Sequence, residues 1–241
     1  MTKICIIQPS YIPWKGYFHQ IAKSDIFVFL DTVQYDKRGW RNRNQIKTPK
    51  GPTWLTIPVQ AHGSHDGLLI KDVQIQLAGW ADVHTQKIRL NYMKSFHFTA
   101  EFPWISEMLF SLDQRYTNIS SIAAKTTQLI ARRMGIQHTQ FVYASDLPIK
   151  RRDPNAYLIE LIQALGGTSY LSGPSAQNYL DPKLFEDAGI TLEWMDYDYP
   201  AYPQLHPPFT HHVSILDLIL MVGLDAAPDF IWKQGVKSNV S

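Results

Sequence analysis

Residues 3–50 read KICIIQPSYIPWKGYFHQIAKSDIFVFLDTVQYDKRGWRNRNQIKTPK and contain the pattern from which the fold class is predicted. An apolar run at 4–7 is followed by a loop with two prolines and a glycine, a helical segment from Tyr17 and a second apolar run at 26–30. Short strands that are apolar throughout are typical of a parallel βαβ unit buried on both faces. The polar residues after each run therefore follow the carboxyl ends of strands, where open parallel sheets bind ligands.

The composition indicates one globular α/β protein. The chain has 241 residues, 45% hydrophobic and 18% charged, which is enough for a substantial core. Its 23 basic and 21 acidic residues leave a net charge of +2, so no global field favours nucleic acid or an anionic membrane. The single cysteine, Cys5, excludes a disulfide framework and suits a reducing compartment. We expect a cytoplasmic protein, because the sequence offers neither a signal peptide nor a membrane span.

The order of predicted elements favours a doubly wound, mostly parallel α/β sheet in one compact domain, 1–241. After the first unit, strands are expected at 54–59, 69–77, 141–143, 169–172 and 191–195, and helices at 80–93, 104–112, 118–134, 154–165, from 182, and at 215–222. This gives a small β excursion and a helical insertion at about 78–135. Residues 197–235 form a Pro- and aromatic-rich strap and an apolar helix, in which Ser214 and Asp217 resemble a capping box. Such a strap either wraps the core or crosses the mouth of a pocket.

The segment 37–50 is basic and contains no acid. Trp40, Asn42 and Asn44 are interleaved with its cations, which are Lys37, Arg38, Arg41, Arg43, Lys47 and Lys50. A solvated basic loop is one interpretation. The other is a site that holds an anion, because arginine offers a planar fork for phosphate or carboxylate and tryptophan offers a stacking face.

Other motifs carry weaker signals. His62, His65 and Asp66 lie in a Gly-containing loop without the further ligands that a closed zinc site needs, and we predict no metal site. His84 falls on the apolar stripe of helix 80–93 and is expected to be a hydrogen-bonded core residue. Ser172 and Gly173 open a small-residue loop after a strand, which is either an ordinary turn or an anion-binding concavity. The sequence has no dinucleotide-binding turn, P-loop or nucleophile elbow and identifies no cofactor.

Nearly the whole chain resembles the WbqC-like family, bacterial proteins met in gene clusters for O-antigen and other surface polysaccharides. The strings that carry the resemblance are QPSYIPWKGYF, DIFVFLDTVQYDKRGWRNRN, WLTIPV, YLSGPSAQNYL and YPQLHPPFTHHVSILDLI. Asp31-Thr32 stands where a typical member has two acids, which disfavours a mechanism with two carboxylates. The family-matching positions are Gln8, Pro9, Tyr11, Pro13, Gly16, Tyr17, Asp31, Gln34, Lys37, Trp40, Asn42, Arg43, Asn44, Ser172, Gly173 and Pro174.

The amino-terminal half is also similar to the nucleotidyltransferases related to pantothenate synthetase. The shared order is a strand, a P-x-Y-x-P-x-x-G loop, a helix and a second apolar strand. That resemblance implies a helix amino terminus, carrying Lys15 and Gly16, that holds a phosphate. Tyr17 stands in place of the histidine of the Gly-His pair of those enzymes, and His19 follows two residues later.

These observations lead to the hypothesis of an intracellular transferase that modifies a nucleotide-linked sugar or another phosphorylated metabolite, by acyl or aminoacyl transfer. Asp31 is the candidate general base, since a carboxylate in a partly dry cleft has the raised pKa that this role needs; a cap or turn acid is the alternative. The candidate binding residues are Lys15, Lys37, Arg41 and Arg43 for phosphate, Trp40 and Tyr11 for stacking, Gln8, Gln34, Asn42 and Asn44 for orientation, and Gly16, Tyr17, Ser172 and Gly173 in the loops.

Two alternatives stay open. One is a nucleotidyltransferase proper. The other is a non-catalytic module for RNA or aminoacyl-tRNA that uses the basic segment 37–50, although the near-zero net charge disfavours a large nucleic-acid surface. The transferase hypothesis requires Lys15, Asp31, Trp40 and Arg43 to converge on one concave pocket for a negatively charged small molecule.

Overall fold

The computed structural model describes residues 1–60, 67–150 and 153–232. The strands are β1 (Lys3–Ile7), β2 (Ile26–Phe29), β3 (Arg43–Ile46), β4 (Thr53–Thr56), β5 (Gln140–Tyr143), β6 (Ser169–Ser172) and β7 (Thr191–Trp194). The helices are α1 (Lys15–Ala22), α2 (Trp80–Tyr92), α3 (Phe98–Arg115), α4 (Ile119–Arg133), α5 (Pro154–Ala164), α6 (Pro182–Asp187) and α7 (Ile215–Val222). None of the helices in the described ranges has the length and apolar content needed to cross a membrane.

Five strands form a parallel sheet in the order β5-β2-β1-β6-β7. The central strand β1 pairs with β2 on one side, where Cys5 aligns with Phe27, and with β6 on the other, where Ile4 aligns with Tyr170. The chain winds outward from β1 first in one direction and then in the other. The predicted doubly wound, mostly parallel α/β sheet is therefore confirmed, and its winding reverses at β1.

Both faces of the sheet are covered, as the unbroken apolar strands predict. On one face Cys5, Phe27 and Phe29 pack in the larger core, which also contains residues of α1, α2, α3, α4 and α7. On the other face Ile4 and Val28 pack in a smaller core with α5 and α6. Alternate residues of β1 and β2 thus serve opposite layers, which holds the two strands in a fixed register.

The helical insertion consists of α2, α3 and α4 and agrees with the prediction for residues 78–135. Asn118 caps α4 by accepting a hydrogen bond from the backbone N–H of Ser121. The helix α3 is longer than the predicted 104–112 and contains Pro103. Proline removes one backbone hydrogen bond, but the burial of Trp104 and Ile105 keeps the segment helical on both sides of it.

The β excursion differs from its prediction. The antiparallel pair is β3 with β4, in which Arg43 aligns with Thr56. The prediction of a strand at 69–77 was wrong, because this segment forms a 3-10 turn at Ile70–Asp72 flanked by isolated bridges. The basic segment, interpreted as a loop, instead enters β3, where Asn44 and Ile46 are buried and Arg43 is half-buried. The Arg43 cation does not prevent β3 from pairing with β4, because alternate side chains of a strand point away from the core.

The strap, defined as residues 197–213, leads into α7. Ser214 occupies the N-cap position of α7 but its side chain makes no capping hydrogen bond, so the predicted capping box was wrong. The Asp217 carboxylate is buried and accepts hydrogen bonds from the hydroxyls of Tyr92 and Tyr202, both at 2.7 Å, and from Gln204. The strap thereby wraps the core, while residues 233–235 of the predicted strap and helix lie outside the described residues.

Candidate functional site

A cavity of about 360 Å³ opens at the carboxyl end of β1, beside the point where the winding of the sheet reverses. We call it the β1 cavity. In doubly wound sheets this is the place where ligands bind. Its lining residues come from β1, the loop after it, α1, the segment before β3, β3 itself and the end of the strap: Ile7, Gln8, Ser10, Trp14, Tyr17, Trp40, Arg41, Asn44, His212 and Val213.

The loop after β1 is held by the segment that was predicted to bind an anion. The Asn44 side chain donates to the carbonyls of Tyr11 at 3.1 Å and Ile12 at 2.9 Å. The Trp40 carbonyl accepts from the backbone N–H of Tyr11 and from the Ser10 hydroxyl, both at 3.0 Å. Ile12 has a φ of 41°, a conformation that costs a branched residue on the order of 1 kcal/mol and persists where neighbouring bonds fix the backbone. Asn44 therefore shapes the cavity mainly through the backbone.

Arg41 is the central polar group of the β1 cavity. One terminal nitrogen donates to the Gln8 side-chain oxygen at 2.7 Å, while the buried Nε has no hydrogen-bond acceptor. Among the residues that the structure describes, Arg41 forms no ion pair, and Asp36 acts on it only from beyond ion-pair distance. Burial lowers the pKa of the guanidinium below its usual range. Arginine side chains nevertheless stay charged in proteins. The cavity thus presents a positive charge with a free donor.

Three aromatic side chains form the walls of the cavity. The Tyr17 hydroxyl donates to the Gln8 carbonyl at 3.0 Å. The Trp40 ring is 41% exposed and lies 5.1 Å from the Trp54 ring, centroid to centroid. Trp14 packs edge-on against the strap, with its ring centroid 5.0 Å from that of Tyr197. These flat surfaces can stack a sugar ring or a base.

The carboxyl end of the strap closes the cavity with His212 and Val213. The backbone N–H of Ser214 donates to the Gln45 carbonyl at 2.8 Å, and that of Ile215 donates to the Pro13 carbonyl at 2.9 Å. These two bonds fix the strap to the loop after β1 and to β3. His212 is exposed and was not among the predicted site residues; the string HPPFTHHV was the signal that could have found it, because the sequence left open whether the strap lines a pocket.

Lys15 does not line the β1 cavity. Its buried ammonium lies 4.7 Å from the centroid of the Tyr199 ring and 5.1 Å from that of Tyr202, and it donates to the Pro200 carbonyl at 3.4 Å. Burial lowers its pKa to about 8. The neighbouring Gly16 lies beneath the Trp14 indole, where any Cβ would clash. Lys15 thus holds the strap, and Gly16 allows Trp14 to cover the start of α1.

Tyr11 belongs to the core. Its hydroxyl donates to His84 Nδ1 at 2.8 Å, because Nε2 of that imidazole donates to the Thr56 carbonyl at 3.1 Å. Burial lowers the pKa of His84 to about 4. His84 is therefore the hydrogen-bonded core histidine that the sequence predicts. Its bond to Tyr11 connects the loop after β1 to α2.

Asn42 and Arg43 also serve the structure. The Asn42 side chain accepts from the Tyr35 hydroxyl at 3.0 Å and donates to the Ile57 carbonyl at 2.8 Å. The Arg43 guanidinium lies 4.3 Å from the centroid of the Trp54 ring and donates to the carbonyls of residues 38 and 39. Neither side chain lines the β1 cavity.

Four other predicted binding residues lie away from the cavity. Gln34 and Lys37 line a shallow groove together with Tyr35, Asp36 and Arg38. The Ser172 side chain is buried at the end of β6, and Gly173 follows it beside the Tyr197 hydroxyl. Of the fourteen predicted binding residues, the cavity brings together Gln8, Tyr17, Trp40, Arg41 and Asn44.

Asp31 lies in a different groove, at the carboxyl ends of β2 and β5. Its carboxylate accepts from the Ser145 backbone N–H at 3.0 Å, from the Ser145 hydroxyl at 2.7 Å and from the Ser120 hydroxyl at 3.5 Å. Burial raises its pKa, and these hydrogen bonds oppose that rise. The groove, of about 300 Å³, also contains Lys71 and Asp146. The expectation that Lys15, Asp31, Trp40 and Arg43 converge on one pocket was wrong, since among these four only Trp40 lines the β1 cavity.

Across the described ranges 1–60, 67–150 and 153–232, no group of three His, Cys, Asp or Glu side chains is placed to hold a metal ion. His62, His65 and Asp66, the residues of the metal interpretation, lie outside the described residues.

Comparison with known protein families identifies the family of this chain. The WbqC-like protein family matches residues 8–228. The chain is 38% identical over 232 residues to the uncharacterized protein Rv1507c of Mycobacterium tuberculosis, covering 96% of this chain and 98% of that protein. No solved structure matches. On this match over nearly its full length, the chain belongs to the WbqC-like protein family.

Proposed function

We propose that this protein is a transferase that binds a nucleotide-linked sugar, or a similar phosphorylated metabolite, in the β1 cavity and transfers an acyl or aminoacyl group to it. We further propose that the reaction takes place in the cytoplasm and serves the biosynthesis of surface polysaccharides such as the O-antigen of lipopolysaccharide, the setting that the family resemblance implies. The single observation that carries the proposal is Arg41, a cation with an unbonded buried donor at the ligand-binding edge of the sheet.

The state of Arg41 favours an anionic ligand. An unpaired donor that is buried away from water costs about 1–3 kcal/mol, so its retention in a cavity indicates a partner that arrives with the ligand. A phosphate oxygen at Nε, beside the nitrogen that already holds Gln8, would satisfy the group with a charge-assisted hydrogen bond.

The walls favour a ring next to that phosphate. Trp14, Tyr17 and Trp40 supply flat apolar surface, and Gln8 supplies an oriented amide. Small-molecule pockets measure about 300–1,000 Å³ and combine apolar walls with few polar groups. The β1 cavity has that composition and size, which supports a small-molecule ligand over RNA. The cations of segment 37–50 support the same choice, since Lys47 is buried and Arg43 is stacked on Trp54 instead of forming one basic surface.

His212 is our candidate for proton transfer. In the proposed step a sugar amine or hydroxyl attacks the carbonyl carbon of an acyl thioester, a new N–C or O–C bond forms, and the C–S bond breaks. The imidazole takes the proton of the attacking group and returns it to the leaving thiolate. We assign this role to His212 instead of Asp31 because His212 lines the cavity, whereas Asp31 lies in the separate groove.

Calorimetric titration with UDP-, GDP-, dTDP- and CMP-linked sugars tests the binding. We expect at least one to bind saturably, and Arg41→Gln to weaken that ligand at least about tenfold, because a hydrogen bond to a charged group contributes about 1.5–3 kcal/mol. Arg43→Gln is the matched control, two residues away and outside the cavity, and is expected to keep the native affinity. Equal losses in both variants, or no saturable binding, would contradict the proposal.

Mass spectrometry tests the transfer separately. Incubation of the bound nucleotide sugar with an acyl thioester is expected to add the mass of the acyl group to the sugar and release free thiol. His212→Asn should abolish this product while leaving the affinity for the nucleotide sugar within about twofold, because an asparagine cannot exchange the proton. Release of pyrophosphate from a nucleoside triphosphate, without acylated product, would favour a nucleotidyltransferase instead.

A further inference from the structure

The outer face of α2 and the turn after it expose an unusual amount of apolar surface. Val83, Leu90, Met93 and Phe96 are 51%, 75%, 55% and 81% exposed. All four expose more than half of their surface, so these side chains project into solvent. Single exposed apolar residues are common, but four of them on one helix and its turn form a patch of the kind that marks an interaction surface.

Helical geometry gathers three of these side chains into one stripe. At about 100° per residue, Val83, Leu90 and Met93 fall within an arc of about 80°. The buried residues Ile88 and Tyr92 lie on the opposite side of the helix, where they pack in the larger core. The stripe is therefore an outward face of α2 that the described residues of this chain leave uncovered.

Cations flank the stripe on both sides. Lys87 and Lys94 fall on one flank and Arg89 on the other, and all three are exposed. Residues 83–100 contain no acid. Within the described part of the chain none of the three cations forms an ion pair, and Lys87 donates only to the Trp54 carbonyl at 3.3 Å. Gln86 lies within the stripe and donates to Asp82, which borders the stripe beside Arg89. The face is therefore mostly apolar, and its three cations and one acid give it a net positive charge.

We infer that this face binds the surface of an anionic lipid bilayer. Apolar side chains that project from the outer face of a helix enter the boundary between headgroups and acyl chains, while flanking cations contact the phosphates. A second copy of the chain fits less well, because a two-fold dimer would bring the same unpaired cations against one another. The inference is independent of the ligand in the β1 cavity and concerns where the protein acts.

Co-sedimentation with vesicles tests the inference. The native chain is expected to bind vesicles that contain phosphatidylglycerol, to bind pure phosphatidylcholine vesicles much less, and to lose affinity as salt rises. The triple variant Lys87→Glu, Arg89→Glu, Lys94→Glu should bind the anionic vesicles at least about tenfold more weakly, since each cation near such a surface contributes on the order of fivefold. All three positions are exposed, so the thermal midpoint should stay unchanged.

A control with the same change in net charge separates the face from the general charge of the protein. Lys23, Lys50 and Lys150 are exposed elsewhere, and their joint replacement by Glu is expected to weaken vesicle binding less than about threefold. Equal losses in the two triple variants would overturn the assignment to α2. Absence of binding to anionic vesicles by the native chain would overturn the inference itself.

The apolar stripe has its own test. Leu90→Ser together with Phe96→Ser should weaken binding to anionic vesicles while the remaining affinity still falls with salt, because the cations are kept. Sedimentation velocity of the native chain without lipid completes the experiment. A dimer that the double variant dissociates would overturn the lipid inference in favour of a second copy, and an unchanged vesicle affinity of the double variant would overturn it as well.

Discussion

The carboxyl edge of the sheet holds two buried ionic groups in different states. At the end of β1, Arg41 donates to Gln8 and keeps its Nε unbonded in a cavity with aromatic walls. At the end of β2, Asp31 is 2% exposed and accepts hydrogen bonds from Ser145 and Ser120. Asp31 comes directly after the second apolar run and Arg41 lies in the basic segment 37–50, and the sequence suggested a functional role for both.

The hydrogen bonding of a buried ion distinguishes a binding site from a structural contact. A buried ion whose hydrogen bonds are complete fixes neighbouring elements, as Asp31 fixes the ends of β2 and β5 and the start of α4. A buried ion with an unbonded donor destabilises the protein until a ligand arrives, and such groups concentrate at binding sites. The comparison therefore predicts opposite consequences when each group is removed.

We expect acidic pH to lower the stability of the protein more than any of the substitutions below. His84 supports the loop of the β1 cavity in its neutral form, with a pKa lowered from 6.5 to about 4. Its contribution to stability is present above pH 6.5 and is lost as the pH falls towards 4, at about 1.4 kcal/mol per pH unit, or about 3 kcal/mol in total. Asp31 affects the pH dependence of stability in the opposite direction. Burial raises its pKa, so the charged carboxylate destabilises the fold and protonation at lower pH relieves this.

Urea unfolding from pH 7 to pH 4 measures this effect. The free energy of unfolding of the native chain should fall more steeply than that of His84→Gln, with a difference of about 3 kcal/mol accumulated at pH 4. His138→Gln, at an exposed position, is the control and should keep the native pH dependence. Parallel curves for the native chain and His84→Gln would show that His84 does not support the loop.

A smaller effect is expected at the end of β2. Asp31→Ala should lower the free energy of unfolding by about 2 kcal/mol, because it leaves the backbone N–H and the hydroxyl of Ser145 without their acceptor. Its affinity for the nucleotide sugar and its rate of acyl transfer should remain near native. A stable variant that no longer transfers the acyl group would show that Asp31 is the general base and not a structural residue.

The opposite sign is expected at the end of β1. Arg41→Met should raise the free energy of unfolding of the unliganded protein by about 1 kcal/mol, because it removes a half-buried cation that has no acid partner among the described residues. Arg43→Met should lower it, since Arg43 stacks on Trp54 and donates to two carbonyls. Urea unfolding of both variants decides the point, and a loss of stability in Arg41→Met would show that Arg41 supports the fold.

Local signals in the sequence predicted most of the fold. The apolar runs of β1 and β2 and the helices predicted at 118–134, 154–165 and from 182 depend on short-range features, and each element appears close to the predicted position. The errors arose where tertiary packing decides. Arg43 lies in a strand because its partner β4 covers one side, and the 69–77 segment is not a strand because it meets only isolated bridges.

The candidate site was predictable only in part, for the same reason. The sequence shows which residues of segment 37–50 are cations, but which of them points into a cavity depends on Gln8 and Trp54, which lie outside that segment. Lys15 turned towards the strap because Tyr199 and Tyr202 lie over it. His212 enters the cavity through the path of the strap, which no local pattern determines.

The central claim is that a ligand anion binds the unbonded Nε–H of Arg41, and ¹H–¹⁵N spectra of the arginine Nε–H groups measure this directly. The Arg41 signal can be assigned by its loss in Arg41→Lys, and the Arg43 signal by its loss in Arg43→Lys. On addition of the nucleotide sugar that binds best, the Arg41 signal should shift and become protected from exchange with water, while that of Arg43, already bonded to the Gly39 carbonyl, should stay in place. Saturable binding that leaves the Arg41 signal unchanged would contradict the account.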